Sequence, residues 1–425
     1  MEKLLRFVHE HMSDDLSRLI LNKARWPEID MNLALACIES RRKLKGKVQE
    51  WHDNPDLVFP LKLSAEQCSS SATGSYKAGV AETIAATSGR KAGEWAIADL
   101  TGGFGVDSWF FSRKAGKVLY NEMQTVLCDA AVHNFRILGA GNITISNHAI
   151  VPAAGKTAES DDMLTVSAEE LLKDFRPDII FLDPARRGEG GKKVFLIEEC
   201  TPDILTLREE LFSISRHILV KLSPMADISM VCSRLGSTCR EVHVVSAAGE
   251  CKELLIWMDR EWDEDFTIRA VELDNDGGHS DFSFTTAMEK AAIPCPCPAI
   301  SEGCWLFEPG KSLMKAGAFN LISERFGTGK LGVSTHYYIA TDEEKAMELK
   351  RHGKVFRIIS CLPLDKRSLK EAGKSYPHSE VTARNIPMDT ETLRKKMGVT
   401  SGDDAHIFGL KSDKAGNLLI ITARA

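Results

Sequence analysis

Short apolar runs alternate with longer amphipathic stretches through the middle of the chain. Several runs have the length and the Val, Ile, Leu and Phe content of buried strands: residues 95–98, 117–120, 178–182 and 218–222. The stretches between them repeat apolar residues at helical spacing. Strands that alternate with helices in this way are typical of βαβ units, so the pattern predicts an α/β fold with a parallel sheet.

The third strand of this sheet is ambiguous. Ile143–Ser146 and Met163–Val166 both have the apolar content of a strand. Either the first run is the strand and a loop insertion follows, or the second run belongs to the sheet as well. Periodicity alone does not choose between these two possibilities.

The alternation ends at residues 242–245 and 254–257, which are separated by a short polar link that carries Gly249. A parallel pair needs a crossover connection of about a dozen residues or more, usually a helix. The link is too short for such a helix, so the two runs are predicted to pair antiparallel. We therefore expect the parallel sheet to be closed by an antiparallel hairpin.

The segment before the sheet has a helical pattern. Residues 2 to about 50 predict short helices, with Leu5 and Val8 on one apolar face. We therefore predict a helical N-terminal region over residues 1–90 and a Rossmann-like domain over residues 91–262.

The segments after the sheet have a mixed pattern. The polar stretch 274–278 precedes a region with one predicted helix from Leu313 to Arg325. The last region predicts strand, helix, strand, helix, strand and strand: residues 355–359, 368–373, 380–383, 390–397, 405–408 and 418–421. Two α+β domains are expected here, over residues 263–330 and 331–425.

Composition excludes several classes of protein. The 425 residues are 43% hydrophobic and 27% charged, as in ordinary globular proteins of several domains. No apolar run resembles a signal peptide or approaches the length of a membrane span, so we expect a cytoplasmic protein without membrane association. The 11 cysteines are expected to be reduced thiols. Cys295, Cys297 and Cys304 lack a fourth ligand at metal-site spacing, so we interpret them as thiols of a proline-rich linker and expect no metal.

Charge is distributed unevenly along the chain. The formal net charge is -6, but residues 350–425 carry 15 Lys and Arg against 8 Asp and Glu, a local +7 that leaves -13 for the rest. Such an asymmetry fits a polyanion-binding face and also fits a solvated surface of lysines. Charge alone leaves both interpretations open.

A glycine-rich turn, Asp99-Leu100-Thr101-Gly102-Gly103-Phe104-Gly105, follows the first predicted strand. Glycines at the carboxyl end of a strand let the backbone approach a nucleotide-like ligand. A phosphate-binding loop would carry Lys after its glycines, whereas this turn is flanked by Asp99 and Asp107. An acidic, glycine-rich turn suits a cationic cofactor, and the sulfonium of S-adenosylmethionine is cationic.

Acidic residues also end two other predicted strands. Glu122 follows the second strand and can accept hydrogen bonds from both hydroxyls of a ribose, which fits S-adenosylmethionine and NAD alike. The alternative is an exposed acid at the start of a helix.

Asp183 ends the fourth strand and precedes Pro184. The carboxylate and the proline carbonyl can orient an amino group for methyl transfer, although Asp183 could instead cap a following helix or turn.

Together, the Asp99–Gly105 turn and the Asp183–Pro184 pair resemble the motifs of S-adenosylmethionine methyltransferases that modify amino groups. A wider set of segments is similar to a bacterial family of methyltransferases with a THUMP-like domain: residues 66–70, 99–107, 183–187, 220–225, 250–254, 307–309 and 383–387. The resemblance implies S-adenosylmethionine as the cofactor and a ferredoxin-like domain. It also implies a THUMP-like C-terminal domain, a fold associated with RNA binding.

The resemblance also suggests roles for further residues. Gln67 lies in a segment that packs beside the methionine end of the cofactor in related enzymes, although small hydroxyl residues there also cap helices. Amino-directed methyltransferases usually have Asp-Pro-Pro followed by an aromatic residue, whereas this chain has Ala185 and Arg186. Arg186 or Arg187 can stack on a base or hold a phosphate. Lys221 faces either the substrate cleft or the solvent.

The sequence therefore predicts an RNA-directed methyltransferase. The predicted cofactor-binding residues of the motifs are Asp99, Thr101, Gly102, Gly103, Gly105 and Glu122. Asp183 and Pro184 are predicted to position the acceptor, and the basic C-terminal region is predicted to bind RNA. The alternatives are a methyltransferase that acts on a protein or small molecule, and an RNA-binding protein that keeps cofactor affinity without turnover.

Overall fold

The computed structural model describes residues 1–153, 164–186, 197, 200–274 and 277–423. The chain divides into two compact units. The first unit comprises Met1–Val242, Glu253–Phe266 and Asp274–Gly277, and the second comprises His243–Lys252, Thr267–Leu273 and Gly278–Ala425. No helix among the described residues combines the length and the apolar character that crossing a membrane requires.

Helices form the N-terminal part of the first unit: α1 (Glu2–Glu10), α2 (Leu16–Leu21), α3 (Met31–Leu44), α4 (Gln49–Asp53), α5 (Lys62–Gln67) and α6 (Ser71–Thr87). Asp30 and Ser70 begin α3 and α6, because their side chains accept hydrogen bonds from N–H groups of the first turn. Val8 is buried as predicted, whereas Leu5 is half-buried and Leu4 takes the inner position. The predicted short helices are confirmed.

The chain then alternates between strands and helices. The strands are β1 (Ala96–Asp99), β2 (Lys117–Asn121), β3 (Ile143–Ser146), β4 (Ala149–Ile150), β5 (Thr165–Val166), β6 (Ile179–Leu182), β7 (Ala185–Arg186), β8 (Cys200–Thr201), β9 (His217–Leu222), β10 (Cys239–Ala247) and β11 (Glu250–Asp259). The helices are α7 (Val106–Ser112), α8 (Thr125–Ile137), α9 (Ala168–Leu172), α10 (Ile204–Ile214) and α11 (Ile228–Leu235).

The central sheet has the parallel order β3-β2-β1-β6-β9. Strand β11 pairs antiparallel with β9, and β10 is its other neighbour in the sheet. The predicted α/β fold is confirmed. Residues 143–146 provide the third strand, whereas β5 pairs with β4 in a separate small sheet.

The sheet is apolar on both faces at its centre. All four residues of β6 are fully buried, and helices connect the parallel strands, as expected when both faces of a sheet must be covered. The carboxyl ends of β1, β2, β6 and β9 meet at one edge, which is where ligands bind in open α/β sheets. The motif residues Asp99, Glu122, Asp183 and Lys221 lie at or next to these ends.

The second unit is an α+β structure. Its further strands are β12 (Thr267–Leu273), β13 (His279–Phe284), β14 (Cys295–Pro296), β15 (Trp305–Pro309), β16 (Gly329–Lys330), β17 (Tyr338–Ala340), β18 (Gly353–Pro363), β19 (Glu380–Arg384), β20 (His406–Ser412) and β21 (Gly416–Thr422). Its helices are α12 (Thr286–Ala291), α13 (Lys311–Ala316), α14 (Phe319–Phe326), α15 (Glu343–Leu349), α16 (Lys366–Ser375) and α17 (Thr390–Met397). Short 3-10 helices lie at Lys23–Arg25 and Gly236–Thr238 in the first unit and at Lys350–His352 in the second.

A sheet with the order β14-β16-β17-β15-β18-β21-β20-β19 organises this unit. Phe408 and Ile407 of β20 belong to different apolar clusters, because successive residues of a strand point to opposite faces. The predicted strands and helices after residue 350 are confirmed.

One prediction for the second unit is wrong. The helix expected from Leu313 to Arg325 is broken in two, because Gly317 takes a left-handed conformation that ends α13. The segment interpreted as a proline-rich linker includes the two-residue strand β14, in which Cys295 pairs with Gly329, and its thiols are half-buried or buried. The cysteines, including Cys297, are free thiols.

Candidate functional site

The glycine turn between β1 and α7 favours glycine at three positions. A Cβ atom on Gly102 would overlap the ring of Tyr120. Gly103 and Gly105 have φ angles of 53° and 88°, in the left-handed region that favours glycine. A Cβ on Gly105 would also lie 2.8 Å from the ring of Phe135. The turn therefore brings its backbone close to its neighbours without strain.

Asp99 is directed into the turn. Its side chain is almost completely buried, with Oδ1 accepting a hydrogen bond from the Thr101 N–H at 3.1 Å and Oδ2 accepting one from the Ser108 hydroxyl at 2.6 Å. Burial raises the pKa of Asp99 to about 8, and the nearby Asp107 adds to the shift. The carboxyl group is therefore largely protonated at neutral pH and shapes the turn.

Asp107, the other acid of the predicted acidic turn, is also buried. Its Oδ2 accepts a hydrogen bond from the Ser69 hydroxyl at 2.8 Å, and its Oδ1 lies 3.3 Å from Lys77 Nζ. The two acids that flank the turn in sequence do not form an exposed acidic surface, because 1% of Asp99 and 9% of Asp107 are exposed. Any effect of Asp107 on a ligand must act through the buried network.

Glu122 lies at the end of β2 and is bonded to the glycine turn. Its Oε2 accepts a hydrogen bond from the Gly103 N–H and its Oε1 accepts one from the Gln124 N–H, both at 2.9 Å. The alternative of an exposed acid at a helix start is wrong, since Glu122 is buried. Each carboxylate oxygen can still accept a further hydrogen bond. Ribose binding by Glu122 stays a prediction.

Asp183 is connected to the glycine turn across the sheet. Its N–H donates a hydrogen bond of 2.6 Å to the Thr101 hydroxyl. The chain continues through the buried Pro184 into β7, which pairs antiparallel with β8. A helix does not begin here, so the alternative in which Asp183 is a helix cap is wrong. The carboxylate, 39% exposed, is accessible at the edge of the sheet.

Lys221 on β9 forms an ion pair with Asp183, with a distance of 2.5 Å between Nζ and Oδ2. Burial lowers the pKa of Lys221, but Asp183, Asp107 and Glu253 outweigh it and hold the pKa well above its usual range. The side chain is 13% exposed, so the alternative of a solvated lysine is wrong. Lys221 remains an ammonium group and orients the Asp183 carboxylate.

The remaining predicted site residues are Gln67, Arg186 and Arg187. Gln67 is exposed at the C-terminal end of α5, and its role stays a prediction. Arg186 contributes its backbone to β7, but its side chain lies outside the described part of the structure, as does all of Arg187.

Two residues of the site were missed by the sequence analysis. Lys77 in α6 is completely buried and donates hydrogen bonds to both carboxylate oxygens of Glu253, at 2.8 and 2.9 Å, and to the Ser69 hydroxyl at 2.9 Å. The signal was a lysine at helical spacing from Thr73 and Ala81 in a helix of small and apolar residues. Its partner could not be identified, because Glu253 is 176 positions away.

Comparisons with known proteins identify the two C-terminal domains. The family model of a ferredoxin-like domain matches residues 305–346. The model described as THUMP domain-like matches residues 353–424. A search of curated proteins finds no match.

A solved structure matches the complete chain. The crystal structure of a "putative methyltransferase" from Porphyromonas gingivalis W83 is 28% identical, with a TM-score of 0.80, and the match covers 100% of this chain and 98% of that chain. A "putative RNA methyltransferase" from Pyrococcus horikoshii is 18% identical over 34% of this chain and 59% of that chain, with a TM-score of 0.23. A "putative methyltransferase" from Streptococcus mutans in complex with SAH is 11% identical over 43% and 96%, with a TM-score of 0.28.

The last two matches are partial, so the fold comparison depends on the Porphyromonas gingivalis structure. The chain contains a ferredoxin-like domain and a THUMP-like domain and has the fold of that bacterial protein along its full length, which confirms the predicted resemblance to methyltransferases with a THUMP-like C-terminal domain.

Proposed function

We propose that this chain is an S-adenosylmethionine-dependent methyltransferase that modifies an amino group of an RNA base. The observation that carries the proposal is the hydrogen bond from the Asp183 N–H to the Thr101 hydroxyl. This hydrogen bond holds the Asp183 carboxylate, which can bind an acceptor amino group, beside the glycine turn, which can bind a nucleoside. Holding two reactants in one geometry supplies much of the rate of a transfer reaction.

The residues of the turn fit the proposed cofactor. A Cβ on Gly103 would have only the Thr101 carbonyl oxygen nearby, at 3.7 Å, so the turn leaves open space at this glycine. Next to it, Glu122 offers two carboxylate oxygens for ribose hydroxyls. When bound, S-adenosylmethionine supplies an electrophilic methyl group on a sulfonium. The turn and Glu122 would hold its nucleoside part.

The residues at the end of β6 would orient the acceptor. Lys221 holds Oδ2 of Asp183, and among the described residues Oδ1 has no hydrogen-bond partner. An acceptor amino group can donate a hydrogen bond to Oδ1 and another to the Pro184 carbonyl. Its nitrogen lone pair is then directed away from both oxygens, and the proton lost after transfer can pass to the carboxylate or to water.

RNA is the proposed substrate because of the second unit. The THUMP-like match covers residues 353–424, and residues 350–425 carry the excess of +7. Lys and Arg side chains on such a domain can contact phosphates and position the RNA without reading its sequence.

The test uses methyl-labelled S-adenosylmethionine with total RNA, total protein and small-molecule fractions from cells that lack the gene. We expect label in RNA with the wild-type protein. Asp183→Asn should bind S-adenosylhomocysteine within a few-fold of wild type but transfer methyl groups about 100-fold more slowly, since it loses the carboxylate charge, which acts mainly in the transition state. Asp174→Asn, which changes an exposed acid before β6, should behave like wild type.

Other outcomes would replace the proposal. Label in protein or in small molecules would assign another substrate. Label in no fraction, with normal cofactor binding, would favour an RNA-binding protein without turnover. Wild-type transfer by Asp183→Asn would place the acceptor site elsewhere.

A further inference from the structure

A buried network of charges lies behind the proposed cofactor site. Lys77 Nζ is 2.8 Å from Glu253 Oε1 and 3.3 Å from Asp107 Oδ1, and the three side chains are at most 10% exposed. Ser69 connects two of them, because its hydroxyl accepts a hydrogen bond from Lys77 and donates one to Asp107. The network joins α6, α7 and β11 of the first unit.

Fold stability alone does not explain this network. Desolvating a buried ion pair costs about as much as the pair regains, and apolar residues of the same shape often serve as well or better. The other buried residues of α6, such as Ala78 and Ala81, are small or apolar, so the helix packs without a charge at most positions. A charged group at position 77 therefore calls for a second role.

The charges of the buried network and of the neighbouring Lys221–Asp183 pair do not balance. The carboxylates of Asp107 and Glu253 act on the Lys221 ammonium together with that of Asp183, so the network and the Lys221–Asp183 pair form one electrostatic unit. Asp107 Oδ1 is buried and, apart from its ion-pair contact of 3.3 Å with Lys77 Nζ, has no hydrogen-bond partner in the described structure.

Burial raises the pKa of Glu253, and the ammonium groups of Lys77 and Lys221 oppose that shift. With all of these groups ionised, two lysines against three carboxylates leave the unit with one excess negative charge. Burial raises the pKa of Asp99 to about 8, so this acid adds little negative charge at neutral pH. Lys47 donates to the carbonyl oxygens of Ala65 and Glu66 at the end of α5. An excess buried charge is costly unless a cation compensates it.

We infer that the buried pair of carboxylates, Asp107 and Glu253, makes the site prefer the cationic form of the cofactor over its neutral product. This inference rests on the proposed function. S-Adenosylmethionine carries a sulfonium charge that S-adenosylhomocysteine lacks, so a net negative site attracts the first and releases the second more readily. Since Lys77 offsets part of the negative charge and fixes its position, it is a positioning residue.

The experiment measures the affinities for S-adenosylmethionine and S-adenosylhomocysteine by calorimetry at pH 7. In Glu253→Gln the preference for S-adenosylmethionine should fall about tenfold, the scale of one unit charge in a partly buried site. The affinity for S-adenosylhomocysteine should stay within threefold. Asp107→Asn removes the same charge from another element and should give the same result if Glu253→Gln does not fold.

Glu250→Gln is the matched control, since it removes an exposed acid from the same strand and should leave the ratio unchanged. Equal losses of affinity for both ligands, or an unchanged ratio in both charge-removing variants, would overturn the inference and leave the proposed function intact. If the wild type binds neither ligand, both the inference and the proposed function fail.

Discussion

At the scale of single residues, Gly103 allows the glycine turn to be tested without disturbing the core. A side chain at this position would enter open space, whereas one on Gly102 would meet Tyr120. Gly103→Ala should cost about 1 kcal/mol of stability, because its φ of 53° is unfavourable for other residues, and should bind S-adenosylhomocysteine within a few-fold of wild type. Gly103→Arg has the same backbone cost, but its side chain fills the open space. Its affinity for S-adenosylhomocysteine should therefore fall at least about tenfold, which is about 1.4 kcal/mol of binding free energy.

Calorimetry on the three proteins, with thermal melting as the check on folding, separates the two effects. Equal affinities in the Arg and Ala variants would show that the ligand does not lie at the turn.

Gly103 and Asp183 could be found from sequence, because a turn after a strand and an acid at a strand end have local signatures. The environments of Glu122, Asp99 and Lys77 could not, since burial depends on partners that are distant in sequence.

At the scale of elements, the pairing of β9 with β11 creates a pH-sensitive contact. His217 begins β9 and pairs with Asp259 at the end of β11. The Trp257 N–H donates to His217 Nδ1 at 3.3 Å, so the ring proton is on Nε2, which lies 2.8 Å from the Ser88 hydroxyl. Burial lowers the pKa of His217 to about 4, and Asp259 opposes the shift.

The His217 ring of the unfolded chain takes up a proton near pH 6.5, whereas that of the folded chain does so only near pH 4. The contribution of the neutral His217 to the free energy of unfolding is therefore complete above pH 6.5. It is lost as the pH falls toward 4. The free energy of unfolding should drop by about 2 kcal/mol between pH 7 and pH 5. His217→Asn should show this drop reduced in urea titrations followed by tryptophan fluorescence, whereas His9→Asn, on the exposed face of α1, should match wild type. An equal drop in His217→Asn would assign the pH dependence to other groups.

The elements themselves were predictable where the hydrophobic pattern was strong. Strands such as β6, with apolar residues on both faces, were found within one residue. Strand β3 was ambiguous because its four residues are at most half-buried at the edge of the sheet, which weakens the apolar signal. The prediction of one helix over α13 and α14 is wrong at Gly317, where a left-handed residue interrupts an otherwise continuous apolar pattern.

At the scale of the whole molecule, the uneven charge predicts how RNA binding depends on salt. The predicted domain boundaries remain untested, but the +7 of residues 350–425 falls within the second unit. On α16, Lys366, Lys370 and Lys374 are exposed and recur every fourth residue, so they line one face of the helix. Each phosphate contact lowers the slope of log affinity against log salt by about 0.7 for single-stranded RNA.

If this face of α16 contacts the RNA backbone, the change of all three lysines to Gln should make the slope shallower by about 2 and weaken binding most at low salt. Fluorescence anisotropy with a mixed-sequence single-stranded RNA measures the slope. The control changes Lys3, Lys23 and Lys91, three exposed lysines of the first unit, to Gln and removes the same total charge. Equal slopes in the two triple variants would show that net charge, rather than α16, determines binding. A wild-type slope near zero would instead indicate that the basic region is a solvated surface, and the substrate would then have to be sought among proteins or small molecules.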